Sequence, residues 1–150
     1  MSQELSHLDD AGRVRMVDVG AKPALRRRAV AEAFVRMATD TVSRLRALPK
    51  GDALACAEVA GIMAAKRTSE LIPLCHPLPL TYASVIVTAG DEGVEIVAVA
   101  ETTAQTGVEM EALTAAAIAA LTVYDMAKGV DPGIVIERVR LVEKTKEPAA

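Results

Sequence analysis

The residues of this chain that most plainly offer chemistry lie in Ile72-Pro73-Leu74-Cys75-His76-Pro77-Leu78, where a Cys-His pair stands between two prolines. Each proline fixes its own φ and turns the residue before it toward extended backbone, so the chain is stiffened on both sides of the pair. An imidazole aimed in this way can donate to phosphate or carbonyl oxygens, move a proton or bind a metal. The plain structural alternative is a loop histidine bonded to a backbone carbonyl. Cys75 beside His76 suggests a nucleophile and its base, yet adjacent residues seldom aim their side chains at one another. Three further clusters carry charge. Lys66-Arg67-Thr68 closes a helical stretch, where a cation also answers the helix dipole. Gly107-Val108-Glu109-Met110-Glu111 puts two carboxylates in the first turn of a helix, a position that favours them without any ligand. Asp125 and Lys128 stand three apart on one helix face, a spacing that suits a surface ion pair as well as an acid-base couple.

The elements that must position these residues follow from local pattern. Residues 28–37 fit both a helical stripe and a strand face, and Thr39-Asp40 reads as an N-cap. A cap inside a running helix would be redundant, so the spacing predicts a strand, then a helix from Thr41 to Leu48. Pro49 ends that helix. Lys50-Gly51-Asp52 makes a turn, with Asp52 capping a second helix that runs to about Lys66. Thr81 to Thr88 and Val94 to Thr103 are β-branched, apolar runs joined by a turn at Gly90 to Gly93, the pattern of a hairpin. Glu109 to Lys128 reads as a long helix with Met110, Leu113, Ala117, Leu121 and Tyr124 on one apolar face. Asp131-Pro132-Gly133 breaks it, and Ile134 to Val142 is a last strand. The order predicts an α+β fold of the ferredoxin-like βαββαβ kind, an antiparallel sheet with helices on one face. One domain spans 1–150, with 1–12 and 145–150 expected to lie loose.

Composition bounds the rest. The chain is 51% hydrophobic but only 2% aromatic, with no Trp, so its core must be built from Ala, Val, Leu, Ile and Met. Small side chains leave little bulk per element, which favours an oligomer that buries more apolar surface. A net charge of −3 speaks against general nucleic-acid binding. No run approaches the length of a membrane span, and the polar start lacks a signal peptide's apolar stretch, so a cytoplasmic protein is expected. Cys56 and Cys75 are expected as thiols, Cys56 packed within its alanine-rich helix. His7 and His76 are the only histidines, too few for a zinc triad without carboxylates.

Read together, these segments resemble one family. Met16-Val17-Asp18-Val19, Lys50-Gly51-Asp52, residues 60–68, Leu71 to Leu78, Thr106 to Ala115 and Leu121 to Lys128 are similar to the cyclic pyranopterin monophosphate synthase family, the protein C family of molybdenum cofactor biosynthesis. The strings LIPLCHPL and TGVEMEALTA are long and specific, and the resemblance covers Leu5 to about Lys144. It implies a ferredoxin-like subunit in a homohexamer, a trimer of dimers with sites at the dimer interface. It also implies the reaction. A cyclised dihydroguanosine triphosphate is rearranged to a pyranopterin, its triphosphate closes to a cyclic phosphate, and pyrophosphate leaves, which makes the enzyme a lyase. Such a polyanion needs cations to hold it and to neutralise the departing charge.

Carried over by position, the resemblance marks Asp125, Lys128 and Lys50 as the acid-base group. Leu74, Cys75, His76, Glu109, Met110, Glu111, Arg27, Lys66 and Lys144 are the substrate-binding set. Glu109 and Glu111 suit the guanidine-like edge of the base, and His76, Arg27 and Lys144 suit the phosphates. No metal ligand set is implied, although a magnesium ion can accompany the triphosphate. Two departures stand out. Leu25 replaces the threonine of the family's K-x-x-T-x-R stretch, and the tail Lys144-Thr145-Lys146-Glu147-Pro148 lacks the glycines that would fold over phosphate. The rival reading is a non-catalytic nucleotide-binding or assembly protein of the same fold.

Overall fold

A computed structural model describes residues 5–149. Its elements in chain order are β1 (Leu25–Arg36), α1 (Thr39–Arg44), α2 (Ala53–Lys66), α3 (Thr68–Leu71), β2 (Leu80–Gly90), β3 (Gly93–Ala104), α4 (Glu109–Ala127) and β4 (Val135–Pro148). The strands form one antiparallel sheet in the order β2-β3-β1-β4. This is the ferredoxin-like α+β arrangement that the sequence predicts, including strand before helix at residues 25–44. The tail departs from expectation. β4 continues beyond Val142 and pairs with β1 as far as Leu25↔Pro148, so residues 145–148 are a strand. At the other end, Leu8, in the lead-in 1–12 expected to lie loose, bridges Val14 beyond it, and residues 1–4 of that lead-in are outside the described residues.

Small residues set the spacing of the two layers. The helix-facing side of the sheet carries Ala29, Ala31, Ala33, Ala98 and Ala100, all buried, and α4 answers with Ala112, Ala115, Ala116, Ala119 and Ala120. The predicted core stripe of α4 is therefore misplaced by about half a turn. Met110, Leu113 and Ala117 are only half-buried, and Leu121 and Tyr124 are exposed. A sheet faced with alanine accepts a helix at close range only if the helix also presents small side chains, so the bulkier stripe turns outward. Cys56 is likewise exposed on α2 rather than packed. By length and composition α4 could cross a membrane, but 56% of its apolar stretch is buried in this fold, which makes it the core helix.

Capping explains two turns that matter for the site. Asp52 Oδ1 accepts from the N–H groups of Leu54 and Ala55, the predicted cap of α2. The predicted cap of α1 is not made by Thr39 or Asp40. Asp131 Oδ2 does that work from the loop after α4, accepting from Ala38 N–H at 3.1 Å and Thr41 Oγ1 at 2.9 Å. Gly93, at φ +153°, is required in the hairpin because a Cβ there would stand 2.0 Å from the Val35 carbonyl oxygen.

Gly61 is the closest approach of α2 to its neighbours. A Cβ would meet Val85 Cγ2 at 2.7 Å and the Ala115 carbonyl oxygen at 3.0 Å. Gly61→Ala is expected to destabilise the protein by about 1–3 kcal/mol through overpacking, despite the better helix propensity of alanine. Chemical denaturation of the two proteins measures it, and equal stabilities would mean that α2 has room to shift.

Candidate functional site

The first cluster forms where α4 begins. The Pro73–Pro77 segment, entered through a turn in which Cys75 N–H donates to the Ile72 carbonyl oxygen at 3.1 Å, lays Leu74, Cys75 and His76 along a cleft shared with Thr106, Gly107, Glu109 and Met110. Cys75 Sγ lies 3.6 Å from Glu111 Oε1 and 3.7 Å from the His76 carbonyl oxygen, donating weakly to both. Burial and the facing Glu111 charge push the Cys75 thiol up to about 11. It is a thiol at neutral pH and no nucleophile. Glu111 is 3% exposed, and burial, with Glu109 beside it, raises its carboxyl above the ordinary range. Glu109 Oε2 and Glu111 Oε2 are buried without a hydrogen-bond partner in the protein. Glu109 lines the cleft, and its unpaired oxygen, with that of the neighbouring buried Glu111, is an invitation to a donor-rich ligand edge, since an unmade buried hydrogen bond is costly.

Gly107 makes this geometry possible. A Cβ there would stand 2.1 Å from Glu109 Oε2, so any side chain would push that carboxylate aside. His76 satisfies the plain structural reading: its Nε2 donates to the Val17 carbonyl oxygen at 2.6 Å, tying residues 16–19 over the cleft. That bond commits one ring nitrogen, so a phosphate contact falls to Nδ1 unless the strap releases Nε2.

Next to this cleft lies a larger basin of about 570 Å³ lined by cations, among them Lys22, Arg27, Lys144 and Lys146. Arg27 spends its guanidinium on the Ala104 and Gln105 carbonyl oxygens at 3.1 and 3.4 Å, and Lys144 Nζ reaches Glu109 Oε1 at 3.4 Å. Lys22 was missed as a site residue although it opens the stretch whose arginine was read. It lines both the cleft and the basin. The contribution of Val17 is a backbone oxygen, for which sequence carries no signal.

The second cluster sits at the opposite end of α4. Asp125 is held between Lys128 Nζ at 2.9 Å and Lys50 Nζ at 3.1 Å, and Lys50 also donates to the Asp125 carbonyl oxygen at 3.2 Å. Hydrogen bonds from Lys128 and then Lys50 hold the Asp125 carboxyl below its usual range, and Asp125 raises Lys128 in turn. All three are more than half exposed. The structure therefore brings together the whole predicted acid-base group, but not beside the substrate-binding set. Sixteen residues separate Glu109 from Asp125 on one helix, about 24 Å at the rise of an α-helix. Lys66, at the exposed end of α2, lines neither cleft nor basin. Among the described residues no three His, Cys, Asp or Glu side chains converge as metal ligands.

Known proteins share this chain over nearly its full length. Residues 16–147 match the MoaC family. A cyclic pyranopterin monophosphate synthase from Thermomicrobium roseum is 57% identical over 145 residues, covering 94% of this chain and 87% of that protein. One from Novosphingobium aromaticivorans is 52% identical over 143 residues, covering 94% of this chain and 91% of its own.

The raised carboxyl of Glu111 has a pH signature. A folded-state pKa above the unfolded one means that the folded protein holds the proton more tightly, so this contribution to stability is present at acid pH. It is lost as pH rises from the unfolded carboxyl range through the raised folded value. Glu111→Gln, which cannot ionise, is expected to gain melting temperature relative to the parent as pH rises. Melting curves across the acid-to-neutral range read this, and parallel curves would mean that Glu111 ionises in the folded cleft as freely as in water.

Proposed function

Because the chain belongs to the MoaC family, we propose that it converts (8S)-3',8-cyclo-7,8-dihydroguanosine 5'-triphosphate to cyclic pyranopterin monophosphate with release of pyrophosphate. It is an enzyme of molybdenum cofactor biosynthesis, acting as a lyase on a small-molecule substrate. The observation that carries the reading is Glu109, with one buried, unpaired carboxyl oxygen, on the wall shared by the Cys75–His76 cleft and the basin of cations, and the buried Glu111 beside it. A guanidine-like base edge supplies the donors that the carboxyl oxygens lack, and the triphosphate supplies the charge that the basin lacks. Magnesium enters, on this reading, as a counter-ion of the triphosphate.

The chemical step asks for proton movement and charge neutralisation. Opening and reclosing the purine ring requires groups that give and take protons. In the phosphate step a substrate hydroxyl oxygen attacks the α-phosphorus, its proton goes to an acceptor, the bond to the β-phosphate breaks, and pyrophosphate departs with both electrons. Asp125, ionised between two ammonium groups, suits the acceptor, and Lys50 and Lys128 suit the charge that develops. In an exposed cluster these interactions are screened. They gain strength when water is excluded.

That exclusion, and the 24 Å between the two clusters, both point to a second copy. The outward residues Val59, Met63, Leu121 and Tyr124 of α2 and α4, with Val139 and Leu141 of β4, are exposed apolar surface. On this reading, that surface is buried against another protomer in an arrangement where the Asp125 end of one subunit meets the Glu111 end of its partner. The proposed assembly is a homohexamer built as a trimer of dimers, working in the cytoplasm.

Incubating the protein with the cyclic nucleotide and assaying pyrophosphate and pyranopterin tests the activity. Binding without release of pyrophosphate would instead identify a non-catalytic relative. Asp125→Asn is expected to keep its oligomeric state and lose turnover by about 100- to 10,000-fold, the usual worth of general acid-base catalysis. If the site is shared, Asp125→Asn and Glu111→Gln subunits, each inactive alone, should regain activity when mixed and reassembled. Mixed oligomers with no activity above that of the parents would place both clusters' work within one subunit.

A further inference from the structure

Asp125 and Lys128 both stand at the end of α4, but Lys50 arrives from the chain that follows α1, donating to the Asp125 carbonyl oxygen and to its Oδ2. Its meeting with Asp125 depends on how α1 is fixed to α4. Lys50 has little freedom of its own, because Leu48 and Gly51 exchange backbone hydrogen bonds at 3.1 and 2.9 Å and Ala53 N–H donates to the Leu45 carbonyl oxygen at 2.8 Å. A shift of α1 is thus a shift of Lys50.

Asp131 makes the join between the two helices. Val130 and Asp131 both donate their N–H groups to the Ala127 carbonyl oxygen at 3.0 Å, which fastens Asp131 to the end of α4. Its Oδ1 accepts from Gly133 N–H at 2.9 Å and so orients the carboxylate, while Oδ2 takes Ala38 N–H and the hydroxyl of buried Thr41 at the start of α1. Bonds from Ala38, Thr41 and Gly133 hold this carboxyl below its ordinary range, so the bonds are charge-assisted at neutral pH. Met37 N–H and Thr39 Oγ1 donate to the Glu92 and Asp91 carbonyl oxygens, and these bonds tie the junction to the β2–β3 turn and not to α4. Leu45 and Leu48 bury the far end of the α1 segment, but apolar contact is non-directional and leaves a short helix free to pivot.

We propose that Asp131 is a positioning residue for the reaction: by fixing the start of α1 to the end of α4, it sets Lys50 against Asp125. The proposal rests on the acid-base reading of Asp125, Lys50 and Lys128 above and names the residue that assembles them. Asp131 itself touches no substrate.

Asp131→Ala opens this circuit, and Thr41→Val removes one link to α1 while keeping a β-branched side chain of similar size. Carbon-detected NMR titration of the Asp125 carboxyl reads the geometry without turnover. Lys128 and then Lys50 lower that carboxyl, so Asp131→Ala should raise it as far as Lys50→Ala does, Thr41→Val part of the way, and Thr41→Ser should keep the parent's value. Loss of the Asp131 charge by itself would lower the Asp125 carboxyl, so a rise reports the displacement of Lys50. With the cyclic nucleotide, Asp131→Ala should hold KM and lose kcat by about 10- to 100-fold, the scale of an ångström-sized misplacement of a catalytic group. Adding Asp131→Ala to Lys50→Ala should slow it no further, because a residue that acts through Lys50 then has nothing to position. An Asp131→Ala protein that melts lower, as loss of a cap requires, yet keeps the parent's Asp125 titration and kcat would overturn the proposal. Multiplying effects of Asp131→Ala and Lys50→Ala on kcat would overturn it too. Where Asp131→Ala does not fold, Thr41→Val and Thr41→Ser decide by the same titration. An Asp125 titration that shifts as expected, in a protein whose turnover Asp125→Asn leaves unchanged, would uphold the positioning and overturn the acid-base reading.

Discussion

The contact on which this structure depends is alanine against alanine. Ala29, Ala31 and Ala33 of β1 and Ala98 and Ala100 of β3 meet Ala112, Ala115, Ala116 and Ala119 of α4. Such residues contribute little area each, but they lose no side-chain entropy on burial and let a helix lie close against a sheet. The price is intolerance of bulk, seen at Gly61, where α2 is held against Val85 and the backbone of α4. The helix packed on the sheet then becomes the ruler of the molecule. It carries Glu109 and Glu111 at one end and Asp125 and Lys128 at the other, and it fixes their separation.

The two ends are electrostatic opposites. At the start of α4 a carboxyl is buried without a cation and its proton is held more tightly; at the end a carboxylate is exposed between two lysines and its proton is given up more readily. The helix dipole favours the reverse of protonation at the first end, since acidic groups there are stabilised in ionised form. Burial outweighs it, because removing a carboxylate from water costs more than a helix terminus returns. One end is thus suited to reading a neutral or donor-rich edge and the other to charge and proton transfer. Neither end holds both properties.

Much of this was legible in the residues. The segment between the prolines does bring Cys75 and His76 to one cleft, although it enters through a turn closed by Cys75 N–H on the Ile72 carbonyl and not as extended chain, and Asp52 does cap α2. The motif residues Lys50, Asp125 and Lys128 are together as the resemblance implied. What failed has physical causes. The stripe Met110, Leu113, Ala117, Leu121 and Tyr124 was chosen by hydrophobic size, whereas an alanine-faced sheet selects by smallness, a property that local periodicity does not report. The cap of α1 comes from Asp131, more than eighty residues away in sequence, and no local pattern encodes it. The tail was judged by its missing glycines, but β1 offers an open edge with which residues 145–148 pair.

The edge position of β4 joins these threads. α4 packs against β1, β3 and the first part of β4, but past Ile136 and Arg138 the strand is exposed on both faces. An open edge invites unwanted pairing, and charged side chains are the usual guard. Arg138 and Arg140 pair with Glu32 on the open face of the sheet, so there the guarding charges are neutralised in place. Lys144 and Lys146 lie farther along, where Glu109 is the sole facing carboxylate. A chain with net charge −3 thus gathers unbalanced positive charge at one corner. For a polyanionic substrate the local field of that corner governs approach, with the rest of the surface steering the anion away from unproductive sites. The same corner lies on the strand whose apolar residues await cover. Binding and assembly therefore both draw on what the small-residue core leaves unfinished at its border.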